Sequence, residues 1–172
     1  MKSSVYILLF CLIIISCKYQ SNDWENPLMI GRNKEKPHAT LISYQSQETA
    51  LSFIKNNSEN YKLLNGNWKF KYYTNPLKTG NRFYKINFND SKWDTIPVPS
   101  NWQILGYGTP IYTNIKHPFK VDLPKVPHKG NETGCYRTTF TIPENWEQKE
   151  MFIHFDGIQS TAYIYKRPGN WI

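Results

Sequence analysis

The chain has 172 residues, which is long enough for one domain with a sizeable apolar core, and 16% of the residues are aromatic. The formal net charge is +8, but the lysines and arginines are spread singly along the chain. A nucleic-acid interface needs a clustered basic patch, so this charge distribution argues against nucleic-acid binding. The aromatic content fits both the interior of a β-domain and a surface that binds carbohydrate.

Residues 1–16 have the features of a signal peptide. Lys2 provides a positive start, and the apolar run at 5–15 is too short to cross a bilayer as a helix. The run is followed by Ser16 and Cys17, an arrangement that resembles the lipobox of bacterial lipoproteins. We therefore expect Cys17 to carry a lipid anchor in the cell envelope, at the periplasmic or outer-membrane surface. Secretion through an ordinary signal peptide is the alternative.

Neither the cysteines nor the acidic residues form a recognisable catalytic or metal-binding pattern. Cys11 would leave with the signal peptide and Cys17 would be acylated, so Cys135 would have no partner for an intrachain disulfide. No Cys/His spacing suits zinc, and no phosphate-binding glycine loop is present. A glycosidase needs two carboxylates held a few ångströms apart, and no such pair stands out. The sequence therefore predicts no catalytic residue and no metal ligand in the chain.

Residues 17–45 are polar and interrupted by proline and glycine, which predicts a tether and an extended arm. Residues 46–55 then predict a short helix with Ser46 as its N-cap. Thr49 occupies the position at which a capping box usually has Glu or Gln. The predicted domain follows the arm and covers 46–172.

Alternation of apolar and polar residues with a period of two predicts several short strands in this domain. The clearest segments are 68–72, 136–143, 151–157 and 161–165, and the weaker ones are 61–64, before an Asn65-Gly66 turn, and 82–88. Residues 93–98 are predicted to be extended. Many short strands with few helical patterns predict an all-β antiparallel sandwich or jelly roll. Because the segment from 163 passes a Pro168-Gly169 turn into only two further residues, we expect the domain to be incomplete at its C-terminus.

An irregular loop at 97–114 is the best candidate for a polar site. Its prolines exclude a helix. It contains three large aromatic residues, Trp102, Tyr107 and Tyr112. Its side-chain amides belong to Asn101, Gln103 and Asn114. The rings carry too much apolar surface to remain in water, so the loop is expected to pack on the sheet. The amides could bind sugar hydroxyls beside aromatic faces, or they could satisfy the loop's own backbone groups, and the residues alone leave both interpretations open.

Several motifs in register extend from about residue 23 to the end of the chain. They lie at 23–27, 64–70, 97–103, 106–107, 110–114, 134–137 and 155–158. Together they resemble the N-terminal domain of the glycoside hydrolase family 2 β-galactosidases. The resemblance implies a jelly-roll sugar-binding domain that contributes Asn114 to a galactosyl subsite. It also implies Ile115 as a neighbouring contact. Trp102 and Tyr112 are weaker candidates, because their rings could stack on a sugar.

The resemblance further implies what the chain does not supply. Full-length family members continue into immunoglobulin-like domains and a catalytic barrel, which carries the two catalytic glutamates and the Mg²⁺ and Na⁺ sites, and they oligomerise. We therefore expect no cofactor and no catalytic residue in this chain. The first hypothesis is a truncated β-galactosidase, inactive alone, whose parent hydrolyses terminal β-D-galactosides with retention. The alternative is a free-standing, lipid-anchored carbohydrate-binding module.

Overall fold

The computed structural model describes residues 22–111, 114 and 119–165. These residues fall into two units. The smaller unit contains the described residues up to Lys34 together with Asp122–Val126, and the larger unit contains Glu35–Val121 and the described residues from Pro127 onward. The three strands described below lie in the larger unit. Among the described residues, no helix is long and apolar enough to cross a membrane.

The centre of the larger unit is a three-stranded antiparallel sheet. Strand β1 is Gly66–Tyr73, β2 is Asp94–Val98 and β3 is Thr133–Arg137, in the order β2-β1-β3. Trp68 lies opposite Ile96, and Phe70 lies opposite Tyr136. The sheet confirms the all-β antiparallel class. It also confirms the alternating strand predicted at 68–72 and the extended segment predicted at 93–98.

The core is built on the alternation in β1. Successive side chains of a strand point to opposite faces, so Phe70 and its cross-strand neighbours share one face. Phe70 is fully buried, and the buried Ile96 lies on the same face. Cys135 is also buried but lies opposite Lys71, on the other face of the sheet. Trp93, directly before β2, is buried as well. Burial of aromatic side chains contributes most of the apolar stabilisation available to so small a sheet.

The predicted helix forms, but it is shorter than expected. Helix α1 is Gln47–Leu51. The Ser46 hydroxyl accepts a hydrogen bond from the Thr49 amide at 3.2 Å, and the Ser46 amide donates to the Thr49 hydroxyl at 3.2 Å. The capping box therefore forms with threonine in place of Glu or Gln. The prediction that the helix reaches residue 55 was wrong, because Phe53 adopts a φ of 55°, which the α-helix does not allow.

Short 3₁₀ helices occupy several connections of the described chain. They are Asp23–Glu25, Lys55–Asn57, Pro76–Lys78 and Glu144–Trp146. The last of these is attached to an earlier part of the larger unit, because the Trp146 indole N–H donates to the Glu59 carbonyl at 2.6 Å. Outside the first 3₁₀ helix and the turn that follows it, residues 22–45 have little regular structure, as the sequence predicts for an arm.

Two weaker strand predictions were wrong. Residues 61–64 pair with no strand of the described chain, so the Asn65-Gly66 step does not close a hairpin. Residues 82–88 form turns, in which the Lys85 amide donates to the Arg82 carbonyl at 2.9 Å and the Phe88 amide donates to the Lys85 carbonyl at 3.1 Å. These local bonds use backbone groups that a strand would offer to a neighbour.

The later strand predictions were only partly right. Strand β3 begins at Thr133 and ends at Arg137, whereas alternation had placed a strand at 136–143. The described chain forms no strand at 151–157 or at 161–165. A strand needs a hydrogen-bonding edge as well as an alternating sequence. In the described chain, neither segment pairs with the outer edge of β2 or of β3.

The smaller unit is tied together by polar contacts. The buried Glu25 carboxylate accepts from the Val126 amide at 3.4 Å and from the Asn22 side-chain amide at 3.3 Å. Arg32 forms an exposed ion pair with Asp23 at 2.9 Å. Glu25 thus connects the start of the described chain to a segment about a hundred residues later.

Candidate functional site

The loop after β2 folds into a compact turn. Backbone amides from Ile104 to Tyr107 donate to carbonyls of Asn101, Trp102 and Gln103 at 3.0–3.2 Å. Gly106 follows with a φ of 88°, a conformation that favours glycine and that ends the turn. The backbone groups of this turn are therefore satisfied by each other.

The turn places two aromatic rings of the loop on the Phe70 face of the sheet. The Phe70 ring centroid lies 5.7 Å from that of Trp102 and 4.9 Å from that of Tyr107. Tyr136 of β3 stacks on Trp102 at 6.5 Å with an angle of 13° between the rings, and Tyr72 lies 6.1 Å from Trp102. We call these five residues the aromatic cluster. The expectation that the loop packs on the sheet is confirmed.

Gly134 of β3 leaves the space that Trp102 fills. A Cβ atom built on Gly134 would overlap with the Trp102 ring and would lie 2.7 Å from Cε2 of Phe70. No side chain larger than hydrogen fits there without moving the ring. A glycine within a strand often marks such a close approach.

Two carboxylates lie beside the loop. The Glu132 carboxylate accepts from the Thr109 amide, with distances of 3.3 and 3.4 Å to its two oxygens. Burial, followed by the Glu132 carboxylate, raises the pKa of Tyr72 to about 12. Burial, followed by the carboxylate of Asp94 at the start of β2, raises the pKa of Tyr107.

The candidate sugar-binding residues lie in different environments. The Trp102 ring belongs to the aromatic cluster, and its buried indole N–H has no hydrogen-bond partner among the described residues. Asn114 is exposed, at a bend of the chain. Tyr112 and Ile115 lie outside the described residues, as does the proposed lipidation site Cys17. The roles assigned to these residues stay predictions.

The two other amides of the loop are not used to satisfy its backbone. Asn101 is exposed and Gln103 is half-buried, and within the described part of the chain neither side chain makes a hydrogen bond. An open cavity of about 430 Å³ lies beside Asn101. Its lining consists of Pro99, Ser100, Asn101, Ile104, Leu105 and Gly157. Gln103 is not part of this lining, and the binding of a sugar by these amides stays a prediction.

The described residues bring together no group of three or more His, Cys, Asp or Glu side chains that could hold a metal ion. His154 and Asp156 form an exposed pair at 3.0 Å.

Comparison with known proteins agrees with this arrangement. Residues 61–171 match the family model described as glycosyl hydrolases family 2, sugar binding domain. The chain belongs to this family. The match includes all three strands of the sheet and the loop that carries the aromatic cluster.

Several relatives carry the name beta-galactosidase. The protein of Psychromonas ingrahamii is 39% identical over 153 residues, which are 89% of this chain and 14% of the relative. That of Vibrio vulnificus is 42% identical over 154 residues, again 89% of this chain and 14% of the relative. That of Priestia megaterium is 36% identical over 148 residues, or 83% of this chain and 14% of the relative. The chain thus spans about 14% of the length of these curated relatives.

Sequence reasoning missed the residues of this sugar-binding domain that support the loop. Asp94, Glu132 and Gly134 are single residues in ordinary strand or turn contexts, and no local pattern distinguishes them. Their roles arise from contacts between segments that are 13 to 64 residues apart, a separation that periodicity does not report. The pair Gly106 and Gly108 was the sequence signal for a close contact at this loop, since paired glycines often mark a close backbone approach.

Proposed function

We propose that this chain is the N-terminal sugar-binding domain of a β-galactosidase and that Asn114 contacts a terminal β-D-galactosyl residue. The family match is the main support, because it covers the loop that leads to Asn114. The exposed position of the Asn114 side chain at a bend is compatible with contact to a ligand. An amide offers both donors and acceptors, as sugar hydroxyls require. Ile115, which follows Asn114 in the sequence, is proposed as a second contact, and Tyr112 is a weaker candidate.

The loop's attachment to the sheet supports the same proposal. Rings and the Glu132 carboxylate hold residues 101–109 in one conformation, and a site whose residues are already fixed loses less entropy when it binds a ligand. The chemistry of hydrolysis is not assigned to these residues. The proposed contribution of this chain is to recognise the sugar, and we expect the 172-residue chain alone not to turn over a chromogenic β-galactoside.

Calorimetric titration of the chain with methyl β-D-galactoside tests the proposal. We expect saturable binding that Asn114→Ala weakens by about tenfold, which corresponds to the loss of one hydrogen bond to a neutral partner. Asn81→Ala is the matched control, because Asn81 is an exposed asparagine outside the loop. The absence of saturable binding, or equal effects of the two variants, would contradict the proposal.

We also propose that Cys17 carries a lipid and anchors the chain to a membrane. The support is the sequence pattern of a short apolar run followed by Ser16 and Cys17. Mass spectrometry of the membrane fraction tests this. A mature N-terminus at Cys17 with added acyl mass is expected, and Cys17→Ser should release the protein from the membrane. A mature protein without acyl mass would refute the lipid anchor.

A further inference from the structure

We infer that Glu132 is a positioning residue for the sugar-binding loop, and that its carboxylate sets the direction in which the chain leaves the sheet toward Asn114. This inference rests on the proposed function of Asn114. Glu132 itself is half-buried and is placed beside the loop, so it acts through the backbone of Gly108 and Thr109.

The geometry at the loop is that of a carboxylate held against the backbone. The Thr109 amide lies 3.3 Å from Oε1 of Glu132 and 3.4 Å from Oε2, so both oxygens face one N–H group. Gly108 has a φ of 66°, and a Cβ atom on it would overlap with the Glu132 carboxylate. The carboxylate therefore occupies the space that a side chain at Gly108 would take. Only glycine combines this backbone conformation with so close an approach.

The sheet fixes the other end of the contact. Glu132 directly precedes β3, whose residue Gly134 lies opposite Tyr72 of β1. The position of the Glu132 carboxylate is therefore set by the start of β3, and its hydrogen bond with the Thr109 amide has an ionised acceptor, which makes it stronger than a bond between neutral groups.

The position of Thr109 in the chain connects this contact to the sugar. Pro110 and Ile111 follow it and are both exposed, and Asn114 is five residues after Thr109. Five extended residues span at most about 18 Å, so Asn114 lies within that distance of the anchored Thr109 amide. Pro110 has a fixed φ, which reduces the freedom of the chain directly after the anchor.

Nuclear magnetic resonance of the full 172-residue chain tests the inference with Glu132→Gln and Glu132→Ala. Gln retains one acceptor oxygen and nearly the same volume, whereas Ala retains neither. The matched control is Glu150→Gln, because Glu150 is an exposed glutamate outside the loop. Resonances of the Thr109 amide and of the Asn114 side-chain amide are recorded without ligand. The dissociation constant for methyl β-D-galactoside and the melting temperature are then measured for each variant.

We expect the Thr109 and Asn114 resonances to move in both Glu132 variants and to stay in place in Glu150→Gln. We also expect Glu132→Ala to weaken galactoside binding by about tenfold, with Glu132→Gln between Ala and the parent chain. A purely structural role would lower the melting temperature without this graded change in affinity.

Two outcomes separate this inference from the proposed function. If Glu132→Ala leaves the Asn114 resonances and the affinity unchanged, the positioning role is overturned while the sugar site stands. If the parent chain binds no galactoside, the proposed function fails, and the Asn114 resonances of the Glu132 variants still decide whether Glu132 sets the position of that residue.

Discussion

The two faces of the three-stranded sheet are covered in different ways. On the face that carries Phe70, the loop at 101–109 is held by several ring contacts and by the Glu132 carboxylate. On the opposite face, which carries Arg137, residues 82–90 are held by that guanidinium and by ring contacts with Trp93 and Tyr165. The first face is built mainly from ring contacts, whereas the second combines ring contacts with a charged side chain that forms several hydrogen bonds.

Arg137 makes its contacts in several directions. Its Nε donates to Asp90 at 2.7 Å, and its Nη1 donates to the carbonyls of Phe83 and Lys85. Its guanidinium also lies 5.6 Å from the centroid of the Phe88 ring. A planar group with five donors suits such a junction, and lysine could not replace it. The two faces therefore predict different responses to mutation.

The largest effect is expected for Phe70→Ala. The side chain is fully buried, so its removal leaves a cavity beneath Trp102 and Tyr107 and should lower the free energy of unfolding by about 3 to 5 kcal/mol. Denaturant unfolding measures the change. The control is Phe152→Ala, since Phe152 is 67% exposed. Equal losses in the two variants would show that the aromatic cluster is not the core of the sheet.

A smaller effect is expected for Gly134→Ala. The added methyl group has no space between Trp102 and Phe70, so the Trp102 ring must move and the free energy of unfolding should fall by about 2 to 3 kcal/mol. The displaced ring should also change the tryptophan fluorescence of the folded protein. Gly157→Ala provides the comparison, because a Cβ atom there meets no neighbour within 4 Å among the described residues. An unchanged spectrum and stability for Gly134→Ala would contradict the packing of Trp102 on β3.

Arg137→Met should lower the free energy of unfolding by about 1 to 2 kcal/mol, because methionine keeps the apolar stem but loses the hydrogen bonds of the guanidinium. The two charged side chains of the pair are partly exposed, 21% for Arg137 and 29% for Asp90, which limits the effect. The resonances of residues 82–90 should move, while those of Trp102 on the other face stay in place. Shifts of similar size on both faces would remove the distinction between them.

The smallest effect at neutral pH is that of two weakly acidic groups, the buried Cys135 thiol and the half-buried Tyr72 hydroxyl. Burial raises the pKa of Cys135 from 9.0 to about 11, and burial with the Glu132 contact raises that of Tyr72 from 10.0 to about 12. Each group stays protonated to a higher pH in the folded chain than in the unfolded chain. Stability is therefore unaffected below about pH 9 and falls as the pH rises toward 12.

Denaturant unfolding at a series of alkaline pH values checks this dependence. Cys135→Ala should reduce the loss of unfolding free energy between pH 9.0, the usual pKa of a thiol, and about pH 11. The further loss at higher pH, which is due to Tyr72, should remain. A stability that rises with pH in this range, or a Cys135→Ala profile identical to that of the parent, would refute the assignment.

The sequence predicted the parts of the fold that depend on local pattern. Alternation located β1 because its apolar side is buried against its neighbours, and the Ser46 cap located the start of α1. The prolines and rings of the loop predicted irregular structure packed on the sheet. The segments at 151–157 and 161–165 alternate equally well, but alternation does not supply the neighbouring strand that pairing requires.

The candidate site was predictable only in part. The aromatic and amide residues of the loop are visible in the sequence, and the order of motifs placed them in the correct family. The contact of Glu132 with Thr109 was not predictable, because a single glutamate before a strand has no local signature. The need for glycine at position 134 was not predictable either, because it arises from the Trp102 ring that packs against this residue.

The most direct test of this account follows resonances of the isotopically labelled chain during titration with methyl β-D-galactoside. The account predicts saturable shifts at the Asn114 side-chain amide and at backbone amides of the 101–109 loop. The indole N–H of Trp146, which is bound to the Glu59 carbonyl, serves as an internal control and should not move. Saturable shifts elsewhere with Asn114 unchanged, or no saturable shift at all, would contradict the claim that this loop presents Asn114 to a sugar.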